Sequence, residues 1–327
     1  MAALPAREPA PTTPGARAAR PRQIPLKGWL HILRRVARRI VPDQFLLYSA
    51  GVAFFAVLSI APVLLTALSV YGAVNTPEQA VEHLAGVVAV LPPTLGQVLG
   101  DQFVSITEAS TQLLTFRGLL ALAVALGTAT TAASFLIEAI TVAYREDETR
   151  GGLRRFALAL FFVLGGAVLL GAVIAGSALI SRTLSTAPRW VKVLALTAAC
   201  IGVAVFMAVG LALLYRFAPD RRGRARWRWI SGGSVVTTAL WLACSAGLFV
   251  YVQNLGTYER MYGSLAGVAI SMLWLWLTVL LVILGAAVNA EAERQTERDS
   301  TTGPEQPPGR RGAVVADDVP PHPEDPA

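Results

Sequence analysis

Residues 262–289 read YGSLAGVAISMLWLWLTVLLVILGAAVN and contain no charged side chain. A helix needs about 20 apolar residues to cross the hydrocarbon core of a bilayer, and this stretch exceeds that length. Apolar blocks of similar length lie upstream, at residues 45–74, 116–142, 156–180, 191–217 and 229–252. Together they predict an all-α integral membrane protein with six transmembrane helices.

The composition of the chain supports the same class. Hydrophobic residues make up 54% of the 327 residues, charged residues only 15%, and the mean hydropathy is +0.54. A soluble domain carries about 25% charged residues, so too few are present here to cover a water-facing surface. The net charge of +7 comes from arginines beside the apolar blocks, where they act as topology signals. We therefore expect no nucleic-acid partner.

The cations are distributed unevenly between the two sides of the predicted bundle. Nine precede the first block, four lie in residues 143–155 and six lie in residues 216–228, whereas residues 75–115 contain none. Cations are enriched on the cytoplasmic side of membrane proteins. This distribution predicts both termini in the cytoplasm of a protein of the bacterial cytoplasmic (inner) membrane.

The six blocks make up a predicted transmembrane domain of residues 43–291. The segments before, after and between the blocks differ from them in composition. Residues 1–25 and 292–327 are rich in proline and charge and are predicted to be disordered tails. Residues 26–42 form a basic amphipathic helix that could lie in the headgroup plane or pack on the bundle from the cytosol. Residues 75–115 predict an extracytoplasmic loop with amphipathic helices. Anionic lipid headgroups are the expected partners of Arg34, Arg35, Arg38 and Arg39.

Glu138 is the strongest candidate for a functional side chain, because it lies close to the cytoplasmic end of the second block. Ionisable residues inside a membrane are costly and usually face the bundle interior or a water-filled cavity. The alternative is that Glu138 reaches the interface and pairs with Arg145 or Arg154. A continuous polar cavity reaching Glu138 would favour a functional role, whereas a dry interior would not.

Other polar positions lie near the ends of the spans. Asn289 and Glu291 close the sixth block, where Glu291 could equally pair with Arg294 as a surface anchor. Asn254 and Tyr258 mark the preceding outer loop, where polar caps and an interfacial aromatic belt explain them nearly as well as a site.

Two features of the blocks concern helix geometry. Pro62 inside the first block predicts a kink, because proline has no backbone N–H. Small residues recur on the sixth block and predict close helix packing rather than a substrate path. This stripe consists of Gly263, Gly267 and Ser271.

The residues that enzymes use for catalysis are scattered. A phosphodiesterase needs clustered carboxylates or histidines to hold metal ions, but His31, His83 and His322 are far apart in the sequence. Acidic residues cluster at 146–148, beside arginines that would pair with them. The sequence has no glycine-rich loop for nucleotide phosphates. We expect neither an enzyme nor a cofactor.

Two stretches resemble a known family. Residues 43–62, DQFLLYSAGVAFFAVLSIAP, contain its apolar signature, and residues 262–267, YGSLAG, with residues 284–291, LGAAVNAE, follow its C-terminal pattern. The chain is similar to the YihY/BrkB family of bacterial inner-membrane proteins, some of which were formerly labelled ribonuclease BN. The resemblance implies a six-helix membrane fold without an established activity. Thr141 departs from the pattern, where an asparagine is expected.

These observations favour a transporter, or an exporter of a lipid or another envelope component. The alternative is a structural or scaffolding protein of the envelope that has no substrate. Ribonuclease activity is not expected, because the sequence shows no cluster of carboxylates or histidines that could hold catalytic metal ions. Assembly as a homo-oligomer is compatible with the sequence.

Overall fold

The computed structural model describes residues 14–74, 111–183, 188–254 and 266–318. Within these ranges the chain is helical apart from turns and one isolated antiparallel bridge, Ala225–Thr301. The helices are α1 (Leu26–Arg39), α2 (Phe45–Val74), α3 (Thr111–Ala143), α4 (Gly152–Thr183), α5 (Arg189–Phe217), α6 (Trp227–Asn254), α7 (Ala266–Arg294) and α8 (Val314–Asp317).

Five described helices are long and apolar enough to cross a membrane. The segments are Phe45–Val63, Phe116–Ala143, Arg189–Phe217, Gly232–Val252 and Gly267–Arg294. Helix α4 covers the remaining predicted block, residues 156–180. An all-α membrane protein is therefore confirmed. Helices α3, α4, α5 and α6 extend past their apolar blocks, because polar residues at a membrane boundary can continue a helix into water.

The buried core lies at one end of the helix bundle. Here the C-termini of α3, α5 and α7 meet the N-termini of α2, α4 and α6, and we call this the charged end. Ile140, Tyr215, Ile230 and Ile283 are all buried there, with at most 1% of their surface exposed. Towards the opposite end, large apolar side chains such as Leu120 (58%) are exposed, as is suitable for helices that face lipid.

Pro62 lies within α2, which continues to Val74. The missing N–H leaves the carbonyl of Leu58 without its helical partner. Hydroxyl groups bond to the backbone on either side, since Ser59 Oγ donates to the carbonyl of Ala56 (2.7 Å) and Thr66 Oγ1 donates to that of Pro62 (2.8 Å). Pro62 thus interrupts the hydrogen-bond ladder without ending the helix.

The N-terminal segment differs from the disorder predicted for residues 1–25. Within the described part, Ala16, Ala18 and Ile24 are buried. The backbone N–H of Glu297 donates to the carbonyl of Ala16 (2.8 Å), and Gln295 Nε2 donates to that of Pro14 (2.8 Å). Small apolar side chains and backbone hydrogen bonds hold the segment against the end of α7, which composition alone could not predict.

The C-terminal segment (residues 295–318) also differs from the predicted disorder, because it folds over the charged end. Its backbone pairs with the loop before α6, where the N–H of Arg226 donates to the carbonyl of Ser300 (2.9 Å). Arg311 is buried and donates to the carbonyls of Glu297 (2.6 Å) and Ala316 (2.7 Å). Hydrogen bonds from Arg311 to the backbone of this segment therefore hold it in place. The segment has too few apolar residues to form a core of its own.

Asp299 organises this segment and makes its stability dependent on pH. Its carboxylate accepts hydrogen bonds from the N–H (2.8 Å) and hydroxyl (2.7 Å) of Thr301 and from the N–H of Gln306 (2.9 Å). Burial opposes the negative charge, but these hydrogen bonds and the charge of Arg311 outweigh it and lower the pKa of Asp299. The carboxylate is therefore the form that the fold stabilises.

Asp299→Asn is expected to cost about 1–3 kcal/mol near neutral pH, because buried donors lose a charged acceptor. Because the folded pKa is lowered, this stabilisation is present above the ordinary aspartate pKa and is lost as pH falls through the lowered value. Thermal unfolding of the full chain in detergent should show a gap between the unfolding midpoints of wild type and variant at pH 7 that begins to narrow below about pH 4. Glu305→Gln, at an exposed position, is the control. A gap that is unchanged at pH 3 would contradict this role of the carboxylate.

Candidate functional site

A buried carboxylate lies at the charged end, in the last turn of α7. The Glu291 side chain has no solvent exposure and accepts a hydrogen bond from Arg35 Nε at 2.7 Å. Arg39 Nη1 lies 3.3 Å from its other oxygen. Residues four apart share one face of a helix, so α1 directs both arginines at Glu291. Of the four arginines expected near lipid headgroups, Arg34 and Arg38 are exposed, whereas Arg35 and Arg39 pair with Glu291.

Two further arginines complete the Glu291 cluster, which we define as Glu291, Arg35, Arg39, Arg145 and Arg294. Arg145 Nη2 lies 2.7 Å from the Glu291 carboxylate and Arg294 Nη1 lies 3.8 Å away. Arg145 follows the end of α3 with a φ of 59°, in the left-handed region that costs a non-glycine residue about 1–3 kcal/mol. This turn directs the side chain back to the cluster. Glu291 is thus a buried junction of α1, the turn after α3 and α7, and not a surface anchor held by Arg294 alone.

Arg39 also closes the end of α3. Its guanidinium donates to the carbonyls of Val142 (2.9 Å) and Ala143 (3.0 Å) and pairs with Asp43 at 2.6 Å. Cations near a helix C-terminus interact favourably with its dipole. Burial and the charge of Arg145 lower the pKa of Arg39, although Asp43 and Glu291 act in the opposite direction. Arg39 therefore ties α1, α3 and α7 together.

A second buried ion pair lies beside the cluster. Arg221 Nη1 and Nη2 donate to the Glu293 carboxylate at 2.9 and 3.3 Å, and each side chain is 2% exposed. Burial opposes the charge on Arg221, but the charge of Glu293 outweighs it and raises the pKa of Arg221. The guanidinium also lies over the ring of Tyr144, 5.4 Å from its centroid. This pair joins the loop after α5 to α7.

The Asn289 side chain is buried and joins α7 to the backbone of α6. Its Oδ1 accepts the N–H of Gly233 (3.0 Å), and its Nδ2 donates to the carbonyl of Ile230 (3.3 Å). A Cβ at Gly233 would overlap the Asn289 amide, so glycine is required for α6 and α7 to approach this closely. Thr141 lies near the C-terminus of α3, also at the charged end. Its hydroxyl donates to the carbonyl of Ile137 (2.9 Å) in the same helix.

Glu138 pairs with an arginine, but not with either of the expected partners. Arg155 Nη2 lies 2.5 Å from Glu138 Oε2, and the Tyr48 hydroxyl donates to Oε1 at 3.3 Å. Arg145 belongs to the Glu291 cluster and Arg154 is exposed. Successive residues of a helix point about 100° apart, so Arg155 faces α3 when Arg154 turns away.

An open cleft of about 160 Å³ lies beside this pair, and we call it the Arg155 cleft. Within the described part of the chain, two of its buried polar atoms, Thr130 Oγ1 and Arg155 Nε, have no hydrogen-bond partner. Buried polar groups are nearly always bonded, so such exceptions need a reason. Glu138 does not line the cleft, but it pairs with Arg155, which does. The cleft is lined by Thr130, Thr131, Ser134, Phe135, Arg155 and Phe156.

The remaining predicted positions are not brought together in the described part of the chain. Asn254 is the last residue of α6, and Tyr258 and Gly263 lie outside the described residues. Gly267 and Ser271 are exposed, and no described atom lies within 4 Å of a Cβ built at Gly267. The stripe on α7 is thus not where the described helices approach closely. They do so at Gly233 and at Gly285, where a Cβ would overlap the hydroxyl of Thr237.

Glu291 was a predicted polar position, but most of its partners at the charged end were not predicted. Arg221 was expected only as a topology signal, Arg145 as a topology signal or a partner of Glu138, and Glu293 was not singled out. Their signal is weak, because an arginine near a span end has the same pattern whether it faces water or a buried carboxylate. Within the described ranges, no three or more His, Cys, Asp or Glu side chains are placed to hold a metal ion.

Comparisons with known proteins place the chain in a family. The family described as Virulence factor BrkB matches residues 36–310. A UPF0761 membrane protein of Alteromonas mediterranea is 24% identical over 76% of this chain and 83% of its own length. Another, from Verminephrobacter eiseniae, is 28% identical over 80% of this chain and 62% of its own length.

A shorter match concerns the former ribonuclease label. A ribonuclease-like protein of Bacillus subtilis is 31% identical over 84 residues, 26% of this chain and 30% of that protein. No solved structure matches the chain. The family match extends from α1 into the C-terminal segment; it includes the Arg155 cleft and every member of the Glu291 cluster except Arg35, which lies one residue before its start. The chain belongs to the BrkB family of membrane proteins, whose activity is not established.

Proposed function

We propose that this chain is a transporter, or an exporter of a lipid or another envelope component, in the bacterial cytoplasmic membrane. The observation that carries the proposal is the Arg155 cleft beside Glu138. Glu138 lies five residues before the end of α3, which is about 7–8 Å along the helix axis. Ionisable residues near the membrane often mark substrate paths, and here a carboxylate and a guanidinium lie beside open space.

In the proposed topology the bundle crosses the membrane six times, with both termini in the cytoplasm. The arginines of the described ion pairs gather at the charged end, whereas Arg117, Arg189 and Lys192 lie towards the other end. The charged end is cytoplasmic in this topology, which the enrichment of cations there supports. In this arrangement α1 rests at the membrane surface with Arg34 and Arg38 towards anionic headgroups.

The charged end acts as the cytoplasmic closure of the proposed transporter. The Glu291 cluster and the Arg221–Glu293 pair join α1, α3, α7 and the loop after α5, and the C-terminal segment covers them. A substrate therefore enters from the side, between α3 and α4, where the Arg155 cleft is open. Lateral entry suits a lipid, which is already in the membrane.

Reconstituted protein provides the test. Liposomes of phosphatidylcholine with a trace of fluorescently labelled phosphatidylglycerol are compared with and without the full chain, and quenching by dithionite reports the exchange of label between leaflets. We expect the chain to accelerate exchange about tenfold or more, and Arg155→Gln to remove most of that gain because a phosphate loses about 1.5–3 kcal/mol of charged hydrogen bonding.

Arg154→Gln is the matched control, because it removes the same charge from the exposed neighbouring position. Exchange in this variant should equal that of wild type. If no labelled lipid crosses in the presence of the chain, and the two variants behave alike, the lipid-transport proposal fails and the scaffolding function is favoured.

A further inference from the structure

We propose that the Arg155 cleft binds the phosphate of an anionic lipid headgroup. This inference rests on the proposed function and deepens it, because it names the class of substrate and the residues that hold it. The evidence is that two residues lining the cleft, Arg155 and Thr130, each carry a buried donor atom without a hydrogen-bond partner in the described part of the chain. A bound phosphate would give those donors the partner that the described chain lacks.

The donors belong to Arg155 and Thr130. The Nε of Arg155 is buried without a partner, while its Nη2 contacts Glu138 and the carbonyl of Ser134 (3.0 Å). Thr130 is 2% exposed, and its hydroxyl has no partner in the described part of the chain. Arginine binds phosphate well because its planar group offers several N–H donors in a fixed geometry. A hydroxyl beside it adds one more donor.

Glu138 sets the charge balance of this site. In the structure one oxygen of the Glu138 carboxylate accepts a hydrogen bond from Arg155 Nη2. The other oxygen accepts one from the Tyr48 hydroxyl. An incoming phosphate must therefore compete with Glu138 for the guanidinium. Substitutions at Glu138 and Arg155 should therefore change phosphate binding in opposite directions. Removing the charge of Glu138 should strengthen binding, whereas removing the charge of Arg155 should weaken it.

The surroundings of the cleft favour a lipid over a soluble phosphate. Phe156 lines the cleft and is 50% exposed. Val124 and Leu120 lie seven and eleven residues before Thr131, on the same face of α3, and are 44% and 58% exposed. Acyl chains could lie along this apolar face with the headgroup phosphate at Arg155. A soluble anion has no apolar chain that could pack against this face.

Native mass spectrometry of the full chain in detergent tests the site. The probes are dioleoyl phosphatidylglycerol, dioleoyl phosphatidylcholine as the zwitterionic comparison, and glycerol 3-phosphate as the soluble one. We expect phosphatidylglycerol to bind more tightly than phosphatidylcholine. Arg155→Gln should weaken its binding about tenfold or more, and Thr130→Val, which removes one neutral donor, about threefold to tenfold. Glu138→Gln should tighten binding, and Arg154→Gln should leave it unchanged.

The site is contradicted if Arg155→Gln and Thr130→Val bind phosphatidylglycerol as Arg154→Gln does, or if phosphatidylcholine binds equally well. Competition by glycerol 3-phosphate at matched concentration would contradict the assignment to a lipid. Thr130→Val decides the question if Arg155→Gln does not fold. Binding without exchange between leaflets would contradict the proposed function alone, whereas exchange that survives in Arg155→Gln and Thr130→Val would contradict this site alone.

Discussion

Replacing Glu291 by glutamine is expected to destabilise the protein more than any other single charge change at the charged end. The variant keeps the shape of the side chain but leaves four arginines around a neutral, buried group. Removing one partner of a buried ion pair costs up to about 3–5 kcal/mol, and here Arg35 and Arg145 lose their buried counterion whereas Arg39 keeps Asp43. This corresponds to a fall of roughly 10 °C in the midpoint of thermal unfolding.

The fall can be measured by tryptophan fluorescence of the full chain in detergent. Glu297→Gln is the control, because it removes the same charge from an exposed position six residues later. Adding Arg145→Gln to Glu291→Gln should recover part of the loss, since one uncompensated cation is removed. An unfolding midpoint of Glu291→Gln equal to that of Glu297→Gln would contradict the role assigned to the cluster.

Gly285→Ala is the second substitution with a large expected effect. A Cβ at Gly285 would overlap the hydroxyl of Thr237 and lie 2.5 Å from that of Tyr215, which donates to the carbonyl of Val282 at 2.9 Å. Neither hydroxyl can retreat easily, because both are buried between α5, α6 and α7. Overpacking of a close-packed interior costs about 1–3 kcal/mol, which should lower the unfolding midpoint by several degrees.

Gly267→Ala is the matched control, on the same helix. No described atom lies within 4 Å of a Cβ at this position. Alanine is a better helix former than glycine by about 0.5–1 kcal/mol, so this variant should be as stable as wild type or slightly more so. Addition of Thr237→Ala to Gly285→Ala should restore part of the stability. Equal destabilisation by Gly267→Ala and Gly285→Ala would contradict the packing described here.

The apolar blocks predicted the helices well, because membrane helices have a strong local signal. The first block was predicted at residues 45–74, and α2 spans Phe45–Val74. The tails were the opposite case. Residues 295–318 contain no apolar periodicity, so nothing local distinguishes a disordered tail from a segment held by hydrogen bonds between Arg311, Asp299 and the backbone.

The candidate site was predicted only in part. Glu138 was identified from its depth in the second block, but its partner was expected to be Arg145 or Arg154 and is Arg155. The choice among neighbouring arginines depends on the rotation of α4 relative to α3. A shift of one residue turns a side chain by about 100°, and no sequence pattern within α4 specifies that angle.

The sequence by itself determined that this protein is an all-α membrane protein, because the cost of placing a helix in lipid depends on the composition of that helix alone. It also placed Glu138 and Glu291 near span ends. Only the tertiary structure decided that Glu291 is buried among four arginines and that Arg155 faces an open cleft. Those properties depend on distances between elements far apart in the chain, and such distances are set by packing rather than by local composition.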